Sequence, residues 1–359
     1  MNDIRVSADA LLRFCRACFE KAGLAGSVAQ VTADNLVFAN LRGVDSHGVI
    51  RLKVYVDRLH AGGFNAAAQA RVIAEDAATA LLDGGGGMGQ AAAVAAMDLA
   101  IAKAAQSGAG WVSCRNSNHF GAAAFYALRA IDRGMIGFAA TNSGPTMAPT
   151  GGCEARLGNN AFAIAIPAHP HPPVVLDMAT GAVAWGKIFV AQQKKQKIPL
   201  TWALDSQGRP TDDPEAAARG GLIQPMAGYK GYGLSLVLDI FTGVLSGGGF
   251  ATGVRTLYRE LDTPSGIAHT CGALRVDRFI PVEAFQQRMA EMIELLRNCP
   301  TVPGAERIYV PGEIEDQTAK HRRSAGIPIH SALRQELAAL AVELGIPECP
   351  PMDAGEGAH

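Results

Sequence analysis

The sequence lacks a charge excess of either sign: 32 Lys and Arg stand against 33 Asp and Glu, for a formal net charge of -1 and a pI near 6.8. A nucleic-acid binder needs a basic face to neutralise phosphates, and nothing in this composition demands one. The basic run Lys194-Lys195-Gln196-Lys197 is short and reads as a solvated face. No apolar run reaches the roughly 18 residues needed to span a bilayer, so no membrane partner is expected. The opening Met1-Asn2-Asp3-Ile4-Arg5-Val6 has no charged-then-apolar signal pattern. Seven cysteines, an odd number, are scattered along the chain, as suits reduced thiols in a cytoplasm. Cys15 and Cys18 have redox spacing, yet they sit in an amphipathic helical pattern with Leu11, Leu12, Phe14 and Phe19. No second cysteine pair and no His-Glu-x-x-His occurs, and the nine histidines are dispersed, so no metal site is expected. Internal repeats are absent as well.

What remains is an ordinary globular composition, 48% hydrophobic and 18% charged, in 359 residues. That length allows about two domains. Glycine is abundant, at 41 residues, which points to tight turns and close backbone approaches. The chain opens on helices. Ser7 is a candidate N-cap for the first, with Gly23 as its stop, and Ser27–Gln30 has the capping-box form for the second. A third is expected from about Ser46 to His60. From about residue 72 the texture becomes strands alternating with helices, including strands at 79–82, 111–114, 136–141, 161–166 and 174–176, which argues α/β. A glycine-rich loop is expected over 220–233, followed by a helix over 234–245. The end is helical again, over 282–296 and 331–344, and the tail Met352–His359 reads as frayed. The expected layout is a discontinuous helical domain from both chain ends, 1–72 and 278–359, around an α/β domain at 73–277.

Gly84-x-Gly86-x-x-Gly89 matches a dinucleotide fingerprint between a strand and a helix. The match is weak alone, and no acidic residue closes the next strand; it ends in Arg115-Asn116. A structural turn is the preferred reading.

Five polar segments carry more chemistry. In Arg42-Gly43-Val44-Asp45-Ser46-His47-Gly48-Val49-Ile50-Arg51, Asp45 or Ser46 would cap a helix, with His47 in its first turn and Arg51 four residues on. A guanidinium beside an acid/base histidine suits a 2-oxo acid. The alternative is a capped turn with a surface arginine. Asn116-Ser117-Asn118-His119-Phe120-Gly121 places a second histidine at a strand end, either functional or merely structural. Thr141-Asn142-Ser143-Gly144-Pro145 reads as a site or as a turn. Asp177 closes an apolar strand, where it could orient a ribose or simply cap a helix. Gly228-Tyr229-Lys230-Gly231-Tyr232-Gly233 combines glycines, a lysine and a helix start, a good place for phosphate oxygens.

Together these segments resemble one family, the malate/L-lactate dehydrogenases that lack a Rossmann fold, with relatives acting as ureidoglycolate, sulfolactate, diketogulonate and Δ1-piperideine-2-carboxylate oxidoreductases. The matching stretches are Arg42–Leu52, Ser117–Gly121, Thr141–Gly144, Asp177–Thr180, Gly186-Lys187, Gly228–Leu234 and Pro311–Glu313, in order along roughly residues 5 to 346. The resemblance implies a helical domain made from both termini and a central mixed-sheet domain that binds NADH or NADPH. It implies a homodimer with its active site near the subunit interface. The implied reaction interconverts a small 2-oxo acid and its 2-hydroxy acid, with cyclic imine reduction as the alternative. A non-catalytic nucleotide-binding dimer is the reading from outside enzymology. His47 or His119 would be the acid/base, with Ser46 and Asp177 in support. Arg51 would hold the substrate carboxylate, with Thr141 nearby. His119, Phe120, Gly121, Ser143, Asp177, Met178, Ala179, Lys230, Gly312 and Glu313 would line the cofactor. Two departures fall in the cofactor region: Asn159-Asn160-Ala161 stands where many members carry Thr-Asn-Pro, and Gly181 where many carry Ser.

Overall fold

The computed structural model describes residues 4–349, so the tail Met352–His359 and the first three residues lie outside it. Strand β1 (Ile4–Val6) leads into helix α1 (Ala8–Lys21). Ser7 caps α1 as its position suggests, its hydroxyl accepting from the Ala10 amide at 3.2 Å. Leu11, Phe14, Cys15, Cys18 and Phe19 form the buried stripe of α1, so the cysteine spacing serves packing. Helix α2 (Gly26–Leu41) starts behind Ala25 without a side-chain cap. The expected capping box does not form, because the helix begins at Gly26 and places Ser27 inside its first turn; Gln30 donates onward to Asp34.

The third helix also departs from its pattern. Asp45–His47 and Val49–Arg51 are separate 3-10 turns, and α3 spans only Leu52–Ala61. Neither Asp45 nor Ser46 caps a helix. The cause lies in α2. Asn40 Oδ1 takes the Val49 amide at 2.8 Å, and a Cβ on Gly48 would sit 2.2 Å from that oxygen. Asn40 thus occupies the space a continuous helix would need.

The middle of the chain builds two sheets. Strands β2 (Arg71–Glu75) and β3 (Thr79–Asp83) precede helix α4 (Gly89–Ser107) and strand β4 (Ala109–Ser117). Short helix α5 (Ala124–Ala127) leads to β5 (Met135–Thr141), β6 (Pro145–Met147), β7 (Leu157–Gly158), β8 (Ala161–Ile166) and β9 (Val174–Ala179). Helix α6 (Trp185–Gln193), β10 (Ala203–Leu204), β11 (Pro210–Thr211), helix α7 (Pro214–Ala218) and β12 (Leu222–Ile223) follow, then helix α8 (Tyr229–Asp239) and β13 (Ile267–Arg275). The seven-stranded sheet has the order β2-β3-β4-β13-β5-β8-β9, and the five-stranded sheet β11-β10-β12-β6-β7. In the larger sheet only β3 and β4, joined by α4, run parallel; the other neighbours are antiparallel. The fold is therefore mixed α/β with mixed sheets.

Helix α8 starts five residues before the expected boundary, absorbing Gly231 and Gly233. Gly231 belongs there for packing, since a Cβ would lie 2.3 Å from the Met226 carbonyl.

The chain ends on α9 (Val282–Arg297), α10 (Glu313–Ala325), β14 (Ile327–Ile329) and α11 (Ser331–Leu344). β14 pairs antiparallel with β1 and stitches the two ends together. One buried cluster accordingly joins Leu11, Phe14, Leu36 and Tyr55 to Ile327, Leu333 and Leu340. A second unites α4 and α5 with the large sheet through Ala96, Met97, Tyr126, Val112 and Ala163. α9 departs from this division: its Ile293 packs with Ala168 and Val310, away from the terminal cluster. No helix among the described residues is long and apolar enough to cross a membrane.

Candidate active site

The 3-10 turns after α2 and the segment after β4 bring the two candidate histidines together. The His47 and His119 rings stack with centroids 5.6 Å apart and planes 21° from parallel. Ser46 Oγ lies 3.0 Å from His47 Nδ1. Arg51 Nε donates to the Ser46 carbonyl at 2.8 Å, which turns the guanidinium back over the same loop. Its two outer nitrogens have no partner among the described residues. The loop is held from the far end of the chain: Arg322 of α10 grips Asp45 at 2.6 and 3.0 Å, and Asn40 donates to Asp45 at 2.6 Å.

His119 is the more firmly held of the pair. Its Nδ1 lies 2.6 Å from the hydroxyl of Tyr55, and Gln90 donates to that hydroxyl at 3.2 Å. Tyr55 and Gln90 are fully buried. A hydroxyl can donate or accept, so Tyr55 holds Nδ1 whether or not that nitrogen carries a proton. Behind the site, buried His269 of β13 bridges Thr141 Oγ1 and Ser117 Oγ, each at 2.9 Å, and stacks on Phe120 with centroids 4.7 Å apart. Thr141 is buried, its hydroxyl engaged by His269 and by the Asn142 and Ala268 carbonyls, so it supports the sheet beneath the cleft. Tyr55, Gln90 and His269 carried no sequence signal of a role, because their partners lie on distant elements.

The glycines of the fingerprint are engaged in packing and in backbone hydrogen bonds. Asn118 donates to the Gly86 and Gly87 carbonyls at 2.8 and 2.9 Å, and its own oxygen accepts from Ser265 at 2.9 Å. The loop amides are also committed: Gly84 to Arg115, Gly86 to Asn116, Gly87 to Gly84 and Gly85 to Asp83. A Cβ on Gly89 would lie 2.1 Å from the Asn118 carbonyl and 2.5 Å from that of His119. These glycines let α4 press against the backbone that carries His119.

Asp177 sits within β9 rather than capping a following helix. Its carboxylate accepts from the Ala124 amide at 3.0 Å, at the start of α5. The two site histidines are half-buried and Asp177 is exposed to solvent, although protein atoms surround all three densely, as in a cleft. The dense surroundings push Asp177 up to about 6, against the opposing pull of the Ala124 amide and Arg42. Burial and then Arg51 push His47 down to about 4. Burial, His47 and Arg51 hold His119 well below its ordinary value, and burial takes His269 down to about 3.

These shifts predict acid sensitivity. The three imidazoles titrate near 6.5 when unfolded but stay neutral when folded, so the unfolded chain binds more protons below that pH and stability falls as pH drops toward about 4. Asp177 opposes this between its ordinary 3.8 and about 6, because its protonated form is favoured in the fold. Three groups outweigh one. Melting temperature should therefore fall steadily as pH is lowered from about 7 to about 5. A rise over that interval would show that the histidines are not held neutral.

A family model described as malate/L-lactate dehydrogenase matches residues 6–338. The chain belongs to that family. It is 42% identical to a malate dehydrogenase of Pyrococcus abyssi over 352 residues, which cover 96% of each chain. The solved sulfolactate dehydrogenase of Methanocaldococcus jannaschii superposes with a TM-score of 0.90 at 36% identity, over 95% of this chain and 98% of that one. The Δ1-piperideine-2-carboxylate reductase of Pseudomonas syringae superposes with a TM-score of 0.85 at 28% identity, over 94% and 99%.

Family membership calls for a nicotinamide cofactor, and the residues on the other side of β9 fit one. Helix α8 begins behind Gly228 with no capping side chain, and the amides of Tyr229 and Lys230 meet no acceptor among the described residues. Lys230 is exposed without an ion pair among the described residues, and a Cβ on Gly228 or Gly233 would meet nothing within 4 Å. Free amides, an open backbone and a lysine at a helix start suit a diphosphate. Gly312 crosses β9 closely, with φ +91 and a Cβ position 2.8 Å from Val175 Cβ.

Other candidates contribute less directly. Glu313 is committed inward: its carboxylate takes Arg297 at 2.5 Å, Arg307 at 2.9 Å and the Val310 amide at 2.8 Å. Burial opposes its ionisation, but these donors hold its pKa below the usual carboxylate range. Phe120 is buried, Gly121 packs against Asn35, and the half-buried Ser143 is fixed by its amide on Asn160 at 3.0 Å. Met178 and Ala179 are half-buried at the end of β9. The two departures from the family pattern touch each other. Gly181 donates its amide to Asn159 at 2.6 Å, and a Cβ there would lie 2.8 Å from the same oxygen. With Asn at 159, glycine at 181 leaves room that a serine would fill.

Proposed function

We propose that the protein interconverts a small 2-oxo acid and its 2-hydroxy acid, with NADH or NADPH as hydride carrier. The observation that carries this reading is Arg51, its outer edge unpartnered among the described residues, beside two stacked histidines. When bound, the cofactor supplies or removes the hydride at the 2-carbon. Lys230 and the start of α8 would hold its phosphates, near Asp177, Met178, Ala179 and Ser143. This is a non-Rossmann mode of binding, a reading supported by the committed amides of the Gly84–Gly89 loop.

Arg51 would take the carboxylate on its outer nitrogens. His119 would exchange the proton at the 2-oxygen through Nε2, since Nδ1 is held by Tyr55. Substrate and proton are coupled. Arg51 is one cause of the low imidazole pKa, so a carboxylate that cancels its charge makes an imidazole a readier proton donor. The stack also places a second ring at His47, which can stabilise the developing oxyanion by hydrogen bonding.

A homodimer is supported by the exposed apolar run Ile240, Phe241, Val244 and Leu245 continuing α8. Seven free cysteines suit a cytoplasmic setting, and the balanced charge gives no reason to expect nucleic acid. The two-domain division at 72/73 and 277/278 is supported by the two main cores, with three exceptions: α9 packs away from the terminal core, and Met88 and Leu257 join it from within 73–277.

The test replaces Arg51 by leucine and compares a 2-oxo acid with its methyl ester. Charged hydrogen bonds are each worth about 1.5–3 kcal/mol, so KM for the acid should rise about 10- to 100-fold. KM for the ester should barely move. If the variant still prefers acid to ester as the parent does, Arg51 does not hold the carboxylate.

A further inference from the structure

Tyr258 is an exposed aromatic, yet its place is built with care. Arg51 Cζ lies 5.2 Å from the centre of its ring. The segment that carries it is clamped from below by Arg58, a fully buried guanidinium with no ion pair among the described residues. Arg58 donates to the carbonyls of Leu257 at 3.1 Å, Arg259 at 3.2 Å and Thr263 at 2.5 Å, and to Ser265 Oγ at 3.3 Å. Phe64 covers it at 5.1 Å. Gly63 admits the segment: a Cβ there would lie 2.1 Å from the Leu261 carbonyl. Above the clamp, Arg255 pairs with Glu260 at 2.9 Å. Leu257 is buried in the terminal core while its neighbour Tyr258 projects outward to Arg51.

Burying a cation without a carboxylate is costly unless its donors are filled; here every partner of the two outer nitrogens belongs to this one short stretch, while Nε meets none among the described residues. The clamp fixes the backbone on which Tyr258 stands. Arg51 is then restrained twice, by the Ser46 carbonyl on Nε and by an aromatic ring on one face.

We propose that Tyr258 is a positioning residue for substrate recognition, its ring shielding one face of Arg51 so that the outer edge of the guanidinium is preset for the substrate carboxylate. This rests on the reading that Arg51 binds that carboxylate. The ring excludes water from one face and restricts the side chain's rotation, so less order has to be gained on binding. The contact acts on recognition and leaves proton transfer at His119 alone.

The experiment measures KM and kcat for a 2-oxo acid, the dissociation constant of NADH by fluorescence, and melting temperature, in Tyr258→Ala, Tyr258→Phe and Arg51→Leu. Tyr258→Ala should raise KM about two- to fivefold, the size of an exposed cation–π contact, with kcat, NADH binding and melting temperature unchanged. Tyr258→Phe should keep the parent KM, because the ring and not the hydroxyl does the work. If Tyr258→Ala leaves KM unchanged while Arg51→Leu raises it, the role of Tyr258 is refuted and the carboxylate site stands. If neither variant raises KM, the carboxylate reading fails and takes this one with it. Equal losses in Tyr258→Ala and Tyr258→Phe would assign the effect to the hydroxyl, and a fall in melting temperature with kcat would assign it to folding; either overturns the proposal.

Discussion

His119→Ala lowers kcat by about 10²–10⁴-fold, the range for removing a positioned general acid or base. The loss should fall on kcat far more than on the dissociation constant of NADH, because His119 is tied to Tyr55 and Gln90 on the side of the helical turns, whereas the diphosphate reading rests on α8. His47→Ala should cost less. His47 has one hydrogen-bond neighbour, Ser46, while His119 has a buried tyrosine backed by a buried glutamine. Orientation decides which ring transfers the proton, since both are kept neutral by burial and by Arg51. Single-turnover kinetics on both variants check the order. A larger loss in His47→Ala would transfer the acid/base role to His47. Parent-like kcat in both would remove the histidines from the mechanism.

Gly89→Ala is the second large effect, expected in stability. The added methyl would stand 2.1 and 2.5 Å from the carbonyl oxygens of Asn118 and His119. These are backbone atoms, held on both sides by Asn118 side-chain bonds to Gly86, Gly87 and Ser265, so no side chain can swing away. Overpacking of this kind costs about 1–3 kcal/mol or more. Melting temperature should drop by several degrees. Activity should fall too, as the His119 backbone is displaced, while NADH affinity holds. The outcome also decides the meaning of the glycine fingerprint. A phosphate-binding loop would show the reverse: weakened NADH binding at unchanged melting temperature.

Much of the fold was legible where local rules dominate. Ser7 caps α1, β8 spans 161–166 and α11 spans 331–344 as their patterns indicate, and Gly345 closes α11 in the left-handed conformation. Strand β13 was not. It lies at the middle of the large sheet with seven of its nine residues buried, so it shows no alternation between an apolar and a polar face. The pattern over 45–51 suggests one helix and not two 3-10 turns, because the residue that interrupts it, Asn40, lies on the preceding helix. The same contrast holds for the site. His47, His119 and Arg51 stand out by type and spacing, and the fold brings them together. Tyr55 meets His119 across 64 positions and His269 meets Thr141 across 128, distances over which a single sequence carries no pairing signal. Thr141 and Glu313 were selected by their motifs, yet their polar groups turn inward to His269 and to Arg297 and Arg307.

The most direct test of the central claim is turnover by the parent protein. NADH and NADPH oxidation is followed by absorbance against pyruvate, oxaloacetate, a bulkier 2-oxo acid and a cyclic imino acid. The account predicts turnover of at least one 2-oxo acid, faster than the imino acid and reversed by the matching 2-hydroxy acid with the oxidised cofactor. Turnover of the imino acid alone, or saturable cofactor binding with no turnover of any of them in either direction, would contradict it.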